Sequence, residues 1–466
     1  MHMQVGVYRA PVAAELRIMP VGGIGEVGRN MTVLDWGAER VVVDCGVGFP
    51  ATSERDGVVE QLLPDVRVLG TQPIAAVVLT HGHDDHIAAL AHLIRQGAPI
   101  GRIIGLPFTI ELVKAKLAEG VPLPPLVVAK PGVPVTTGAF AFEYVRVAHS
   151  IPDAAAVSVT TPIGVIVMTG DYKLDDTQAN PRRRCDRGRL GALGRAGVLA
   201  MLGDSTNADE PGRTGSEDST FDPLHDVVAA APGRVIVTSF ASNIDRIDHA
   251  IRAADATTRR VTFIGRSVRR NMGIAERLGE ILPPSRDTAG PRELESLQPR
   301  RSMVICTGSQ AERNAVLARA SRGDHPHLQL GRTDTVVFAS RPVPGNEPDV
   351  ETMIAALVAR GVKVVTHDDA PIHVSGHARA DEVEEMIGLL RPRFLVPVHG
   401  EPQMQEAQAR IAVARCGLDR NNVLLARNGD VIVLTRDRCE IDDHVPVSVI
   451  EADGDGVPLS DPRPAR

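Results

Sequence analysis

Apolar residues gather in nine short runs, most of them closing on Gly, Ser, Thr, Asp or His. The runs are 40–46 (RVVVDCG), 75–81 (AAVVLTH), 164–171 (GVIVMTGD), 234–240 (RVIVTSF), 261–267 (VTFIGRS), 302–309 (SMVICTGS), 335–340 (TVVFAS), 362–367 (VKVVTH) and 393–400 (RFLVPVHG). Runs this continuous predict strands whose sheets are covered on both faces. Between several of them the period changes to a helical one. Ile87, Leu90, Ala91 and Ile94 share a face after His86, and 380–390 and 246–254 read as two further helices. Strands alternating with helices predict an α/β architecture. The stretch 157–170 (VSVTTPIGVIVMTG) reads as a hairpin, so the sheets should be mixed. Segments 181–195 (PRRRCDRGRLGALGR) and 283–301 are charged and rich in breakers, and read as connections or surface insertions. The first fifteen residues read as a loose arm and the tail from about 452 as disordered.

A chain of 466 residues is too long for one ordinary core, which predicts two domains. No apolar run reaches the roughly 18 residues a membrane span needs, and no secretory signal opens the sequence. The five cysteines are scattered, odd in number and without a CxxC pair, which predicts a reduced, cytoplasmic setting. The net charge of −7 does not advertise a nucleic-acid binder, but a sum over the chain says little about one groove.

The Gly23-x-Gly25-x-x-Gly28 spacing, with Asp44 downstream, imitates a dinucleotide fingerprint. That fingerprint requires a helix to begin at the glycines. Two β-rich runs follow instead, so the stretch predicts a Gly-rich turn that brings backbone close to a site.

The chemistry concentrates at 79–90 (LTHGHDDHIAAL), in a chain holding only 15 His. His81 and His83 alternate along extended chain just past a strand and point the same way. Asp85 and His86 sit where the next helix begins. Imidazole and carboxylate are the ligands of zinc, with manganese or magnesium as the harder-ligand alternatives. The loop cannot complete two sites alone, and further donors stand at other strand ends: His149, Asp171 and His399. The assembly this predicts has one metal on His81, His83 and His149, a second on Asp85, His86 and His399, and Asp171 shared. Two metals about 3.5–4 Å apart clamp the attacking and leaving oxygens of a phosphoryl displacement. Asp44 would orient a ligand histidine.

HGHDDH, AHS, TGD and PVHGE together resemble the metal signature of the metallo-β-lactamase fold. LGDSTNADEPGRTGSE, TSFASNIDRID, GRSVRRNMGIAERLG, CTGSQAE, PVPGNE and IHVSGHARADE resemble its β-CASP branch, and within it the ribonuclease J family, over roughly residues 16–450. The resemblance implies an αββα sandwich with an inserted α/β domain. It places an arm at 1–15, a metallo-β-lactamase domain at 16–206 and 369–450, a β-CASP insertion at 207–368 and a flexible tail at 451–466, without the family's usual C-terminal domain. It implies a 5′-to-3′ exonuclease and endonuclease that leaves 5′-phosphate and 3′-hydroxyl ends. The substrate would be single-stranded RNA, preferentially 5′-monophosphorylated, with a homodimer or other RNA-decay proteins as open partners and no membrane. By the same resemblance, Asp171 would act in catalysis beside its metal role. His377 would act on the scissile phosphate or leaving oxygen, with Asp204 orienting it. Ser242, Asn243, His373 and Ser375 would hold the terminal phosphate, and Arg266 would touch the RNA backbone. Two departures stand out, Asp245 and the missing C-terminal domain, and a third feature is unusual. Asp245 occupies a position where the family commonly has His, and a carboxylate there would repel phosphate. The Arg-rich 181–195 segment is unusual for the family and reads more readily as a solvated loop than as RNA-binding surface. The competing readings are a DNA-cleaving member of the branch and a weakly active RNA-binding subunit. A small-molecule lactamase or thioesterase is disfavoured by the long insertion.

Overall fold

A computed structural model describes residues 15–50, 59–97, 99–117, 121–343 and 345–459, and the backbone of 463–464. The expected arm at 1–15 therefore lies outside the described residues except for Glu15.

Two sheets face each other. The larger has eight strands in the spatial order Cys439–His444, Asp430–Leu434, Leu16–Gly22, Met31–Trp36, Glu39–Val43, Ile74–Val78, Ile103–Gly105 and Leu126–Val128. The smaller has six, in the order Phe394–Val398, Val198–Asp204, Gly164–Met168, Ala155–Thr161, Phe140–Arg146 and Val135–Thr137. The strand period of two explains why their sequences are apolar throughout. Val41, Val43, Ala76, Val78, Ile166, Met168, Ala200 and Leu202 point into the core between the sheets. Their neighbours Val42, Val77, Val167 and Met201 point outward into a second core, shared with helices such as Ala380–Leu390 and Pro402–Ala414. The result is an αββα sandwich with mixed sheets. The expected hairpin is present, Ala155–Thr161 pairing antiparallel with Gly164–Met168.

Between Asp204 and Phe394 the chain builds a separate parallel sheet of five strands, ordered Arg260–Ile264, Ser302–Cys306, Val235–Thr238, Thr335–Phe338 and Lys363–Val365. It carries its own apolar cluster, which includes Ile236, Val304, Val336 and Leu357. The predicted helix at 246–254 is the longer Ile244–Ala256, and 380–390 is helical as read.

Three expectations change. Around and after His86 there is not one helix but two, Asp84–Ile87 and Leu90–Arg95. The carbonyls of Asp85 and His86 are taken by the N–H groups of Asn30 and Cys45, at 2.9 and 2.7 Å, so the helix cannot propagate through them. The 181–195 segment is no solvated loop. It forms the turn Pro181–Arg183 and the helix Arg187–Ala196, whose apolar side buries Leu190 and Leu193. The tail is partly ordered. Ser448–Ala452 pairs with Gln61–Pro64, and Leu459 donates its N–H to the Glu451 carbonyl at 2.8 Å.

A buried ion pair ties the larger sheet to its neighbouring turn. Arg40 and Asp35 are both fully buried, with Nε and Nη2 donating to the two carboxylate oxygens at 2.9 and 2.8 Å. Arg40 Nη1 also donates to the Leu69 carbonyl at 2.5 Å. Arg40→Ala would strand an uncompensated carboxylate, and the expected loss is about 3–5 kcal/mol of unfolding free energy by urea titration. The paired replacement Arg40→Met with Asp35→Leu should recover most of it.

Candidate metal centre

Strand ends supply the centre. Gly164–Met168, Val198–Asp204 and Phe394–Val398 are parallel neighbours, so Asp171, Asp204 and His399 emerge from one edge of the six-stranded sheet. Glu39–Val43 and Ile74–Val78 are parallel neighbours in the other sheet and deliver Asp44 and His81 to the same place. Asp44 and His399 hold left-handed backbone, at φ 60° and 49°, a conformation that non-glycine residues seldom adopt away from functional sites. The Gly-rich turn is a turn as expected, and Gly23 accepts the His399 N–H at 2.6 Å. Gly46 must lack a side chain, because a Cβ there would collide with the Asp85 backbone.

Two groups of donors converge, each with its ligand atoms within 4.8 Å of one another. One is His81, His83, His149 and Asp171, the other Asp85, His86, Asp171 and His399. His83 Nδ1 lies 3.1 Å from His81 Nε2 and 3.0 Å from His149 Nε2. Asp171 Oδ2 lies 3.6 Å from His81 Nε2 and 3.7 Å from both His149 Nε2 and His399 Nε2, while Oδ1 lies 3.2 Å from His86 Nε2. That oxygen is buried and accepts no well-formed hydrogen bond. Crowded imidazole nitrogens around an unsatisfied carboxylate fit a divalent cation, and either group could hold one.

Outer partners aim the rings. Asp44 accepts from His86 Nδ1 at 2.8 Å, and also from the Thr80 N–H and hydroxyl, both at 2.8 Å. His149 Nδ1 donates to the Gly376 carbonyl at 2.8 Å. Thr206 Oγ1 lies 2.8 Å from His399 Nδ1. Each ring thereby turns its other nitrogen inward. Burial and the neighbouring imidazoles hold His81 and His149 well below the usual histidine range, so both are neutral, as ligands must be. Burial lowers His86 and His399, but Asp171 outweighs it and holds both well above the usual histidine range, and these charged rings pull Asp85 down to about 2 against its own burial; each would give up its proton on taking an ion.

His377 completes a third group with Asp171, Asp204 and His399. Its Nδ1 donates to Asp204 Oδ2 at 2.9 Å, leaving Nε2 4.0 Å from Asp171. It is 19% exposed in its side chain, against 3% for Asp171, so it fronts the open side.

That open side is a cleft of about 1440 Å³ between the sandwich and the five-stranded sheet. Ser242, Asn243, His373 and Ser375 line it with His83, Asp171 and His377. Asn243 also caps the helix Ile244–Ala256, accepting the Arg246 N–H at 3.0 Å. Ser239 Oγ, Ser340 Oγ and His373 Nδ1 are buried on this wall without a partner. Burial, then the charges of Arg246 and Arg341, push His373 down to about 2.

The sequence of this chain is 41% identical over 441 residues to ribonuclease J of Mycobacterium tuberculosis, covering 94% of this chain and 78% of that protein. The chain belongs to the ribonuclease J family. Ribonuclease J of Corynebacterium glutamicum is 38% identical over 448 residues, with coverage of 96% and 62%, and ribonuclease J 1 of Streptococcus pyogenes is 35% identical, with coverage of 95% and 79%. Family models match the metallo-beta-lactamase superfamily at residues 24–183, the ribonuclease J beta-CASP domain at 232–357 and the Zn-dependent metallo-hydrolase RNA specificity domain at 362–423. A protein of unknown function from Enterococcus faecalis V583 has the same fold, with a TM-score of 0.60 at 16% identity over 90% of this chain and all of that one.

Asp245 and the Arg-rich 181–195 segment meet in one structural feature. Arg183 is 3% exposed, and its Nε donates to both oxygens of Asp245 at 2.8 and 3.0 Å. Its Nη1 donates to Glu280 at 2.6 Å. Arg189 pairs with Glu143, and Arg187 with Glu385. Asp245 is therefore neutralised rather than left facing a phosphate path, and these arginines are spoken for within the chain. Arg266 lies exposed at the head of its helix, outside the cleft lining; Arg270, one turn on, and Arg341 line the cleft instead. Sequence reading missed these two and the orienting hydroxyls of Thr80 and Thr206. The only sequence signal for the hydroxyls was that Thr80 precedes His81 and Thr206 lies two residues past Asp204.

Proposed function

We propose that this chain is a divalent-metal-dependent ribonuclease, cutting phosphodiesters to 5′-phosphate and 3′-hydroxyl ends, both exonucleolytically from the 5′ terminus and internally. The observation that carries this reading is the pair of donor groups sharing Asp171 on a cleft of about 1440 Å³. His81, His83, His149 and Asp171 would hold one ion and Asp85, His86, His399 and Asp171 the other. Zinc suits that donor set, with manganese and magnesium as the alternatives. Bound ions would supply Lewis acidity and acidify water. The family membership supports RNA as the substrate.

The side chains have separate tasks. Asp204 accepts the His377 Nδ1 proton and, against burial, favours the protonated ring, so that Nε2–H faces the scissile group and can hand its proton to the leaving oxygen. Ser242, Asn243, His373 and Ser375, with the unpartnered hydroxyls of Ser239 and Ser340, form a donor-rich wall for a terminal phosphate. Arg270 and Arg341 are the candidates for backbone contacts, in place of Arg266. The same reading divides the chain into a hydrolase domain at 16–206 and 369–450, interrupted by an insertion at 207–368. A reduced, cytoplasmic setting is consistent with five free cysteines; separately, among the described residues no helix is long and apolar enough to cross a membrane.

The test is digestion of 5′-labelled and 3′-labelled RNA bearing monophosphate, triphosphate or hydroxyl 5′ ends. Mononucleotides are expected at least about tenfold faster from monophosphorylated ends, about 1.4 kcal/mol of discrimination. Equal rates from all three ends would remove the end-sensing pocket, and faster cleavage of a matched DNA strand would reassign the substrate.

A further inference from the structure

Glu382 stands outside every donor group above, yet it is 1% exposed and its carboxylate is fully engaged. Oε1 accepts the Leu174 N–H at 2.9 Å, and Oε2 accepts the N–H groups of Thr214 at 2.6 Å and Arg379 at 3.2 Å. The bond to Arg379 is local and caps the first turn of the helix Ala380–Leu390 from one side. The other two reach 208 and 168 residues along the chain, and a helix cap needs neither. Leu174 follows Asp171 by three residues, Thr214 lies on the loop leaving Asp204, and Arg379 follows His377 by two. Thr214 Oγ1 in turn donates to the His377 carbonyl at 2.7 Å. Next to it, the N–H groups of Ala380 and Asp381 donate to the carbonyls of Glu210 and Gly212. One buried carboxylate thus joins the three segments that carry Asp171, Asp204 and His377.

We propose that Glu382 is a positioning residue, a three-point clasp that sets the His377 loop against the Asp171 and Asp204 segments. The inference rests on the nuclease reading above. Glu382→Gln preserves shape and one acceptor, but turns an NH2 group toward backbone N–H groups that require an oxygen. Displacing a reacting group by about 1 Å costs on the order of 100-fold in rate.

The experiment compares wild type, Glu382→Gln, Thr214→Val and Thr214→Ser as metal-loaded full-length proteins. In Glu382→Gln, kcat is expected to fall about 10–100-fold, with KM within about threefold of wild type and the metal content per chain unchanged. Hydrogen exchange should quicken over 208–215 and 372–379 and stay constant in the five-stranded sheet. Thr214→Val, which lacks the hydroxyl bonded to His377, should lower kcat, and Thr214→Ser should restore it. A wild-type kcat in Glu382→Gln, or a loss confined to KM or metal content, overturns the proposal. Unchanged exchange overturns it independently of turnover, so a wild type that cleaves no nucleic acid would sink the nuclease reading while exchange still decides this one. Should Glu382→Gln fail to fold, equal kcat in wild type and both Thr214 variants is the overturning result.

Discussion

Asp171→Ala is expected to reduce hydrolysis by at least about 1000-fold, the equivalent of about 4 kcal/mol of transition-state stabilisation. Asp171 belongs to all three donor groups, and five imidazoles stand within 4.0 Å of its carboxylate. Its removal withdraws the negative charge that both sites share, so affinity for both ions should fall. His83→Ala affects one group only, since His83 faces His81 and His149. The two variants should therefore differ in metal content as well as in rate, Asp171→Ala losing both ions and His83→Ala one. Elemental analysis after gel filtration, beside kcat on a labelled oligonucleotide, checks both. Activity of purified Asp171→Ala within about tenfold of wild type would end the shared-carboxylate account.

Stripping the metal is expected to cost stability as well as turnover. The centre packs imidazole nitrogens 3.0–3.1 Å apart and leaves a carboxylate oxygen of Asp171 buried without a sound hydrogen bond. A cation satisfies both in the folded state and finds no such arrangement in the unfolded chain. Linkage then adds about 4 kcal/mol per site when free ion exceeds Kd a thousandfold. Chelator-treated protein should show a Tm lower by several degrees in calorimetry, with hydrolysis abolished. Zinc, manganese and magnesium are then added back singly, and the ion that restores both Tm and kcat is the native one. A metal-free protein with unchanged Tm and full turnover would contradict the centre.

Much of this protein could be read along the chain because the relevant signals are local. Alternation and period mark the strands, since each inner strand buries one set of residues between the sheets and the other beneath helices. The donors were legible for a related reason. His399 follows its strand directly and His81 and Asp171 lie three residues past theirs, and a strand end is where an α/β fold places its chemistry. The decoy at Gly23, Gly25 and Gly28 could be rejected because β-rich sequence, rather than a helix, follows the glycines.

What escaped were partnerships across hundreds of residues. Nothing near His86 announces that Asn30 and Cys45 will take the carbonyls a continuing helix needs. Composition shows that 181–195 is basic, but the acids that neutralise it, Glu143, Asp245, Glu280 and Glu385, come from four other places in the sequence. Glu382 is one acid among several in the predicted helix 380–390 until the fold brings Leu174 and Thr214 to it. Backbone propensity and burial pattern are written locally, so the sequence alone determined the strands and the residue types that close them, while the insertion was legible only through the family resemblance. The pairing of buried charges and backbone groups depends on which segments meet in space, and only the tertiary structure decided that.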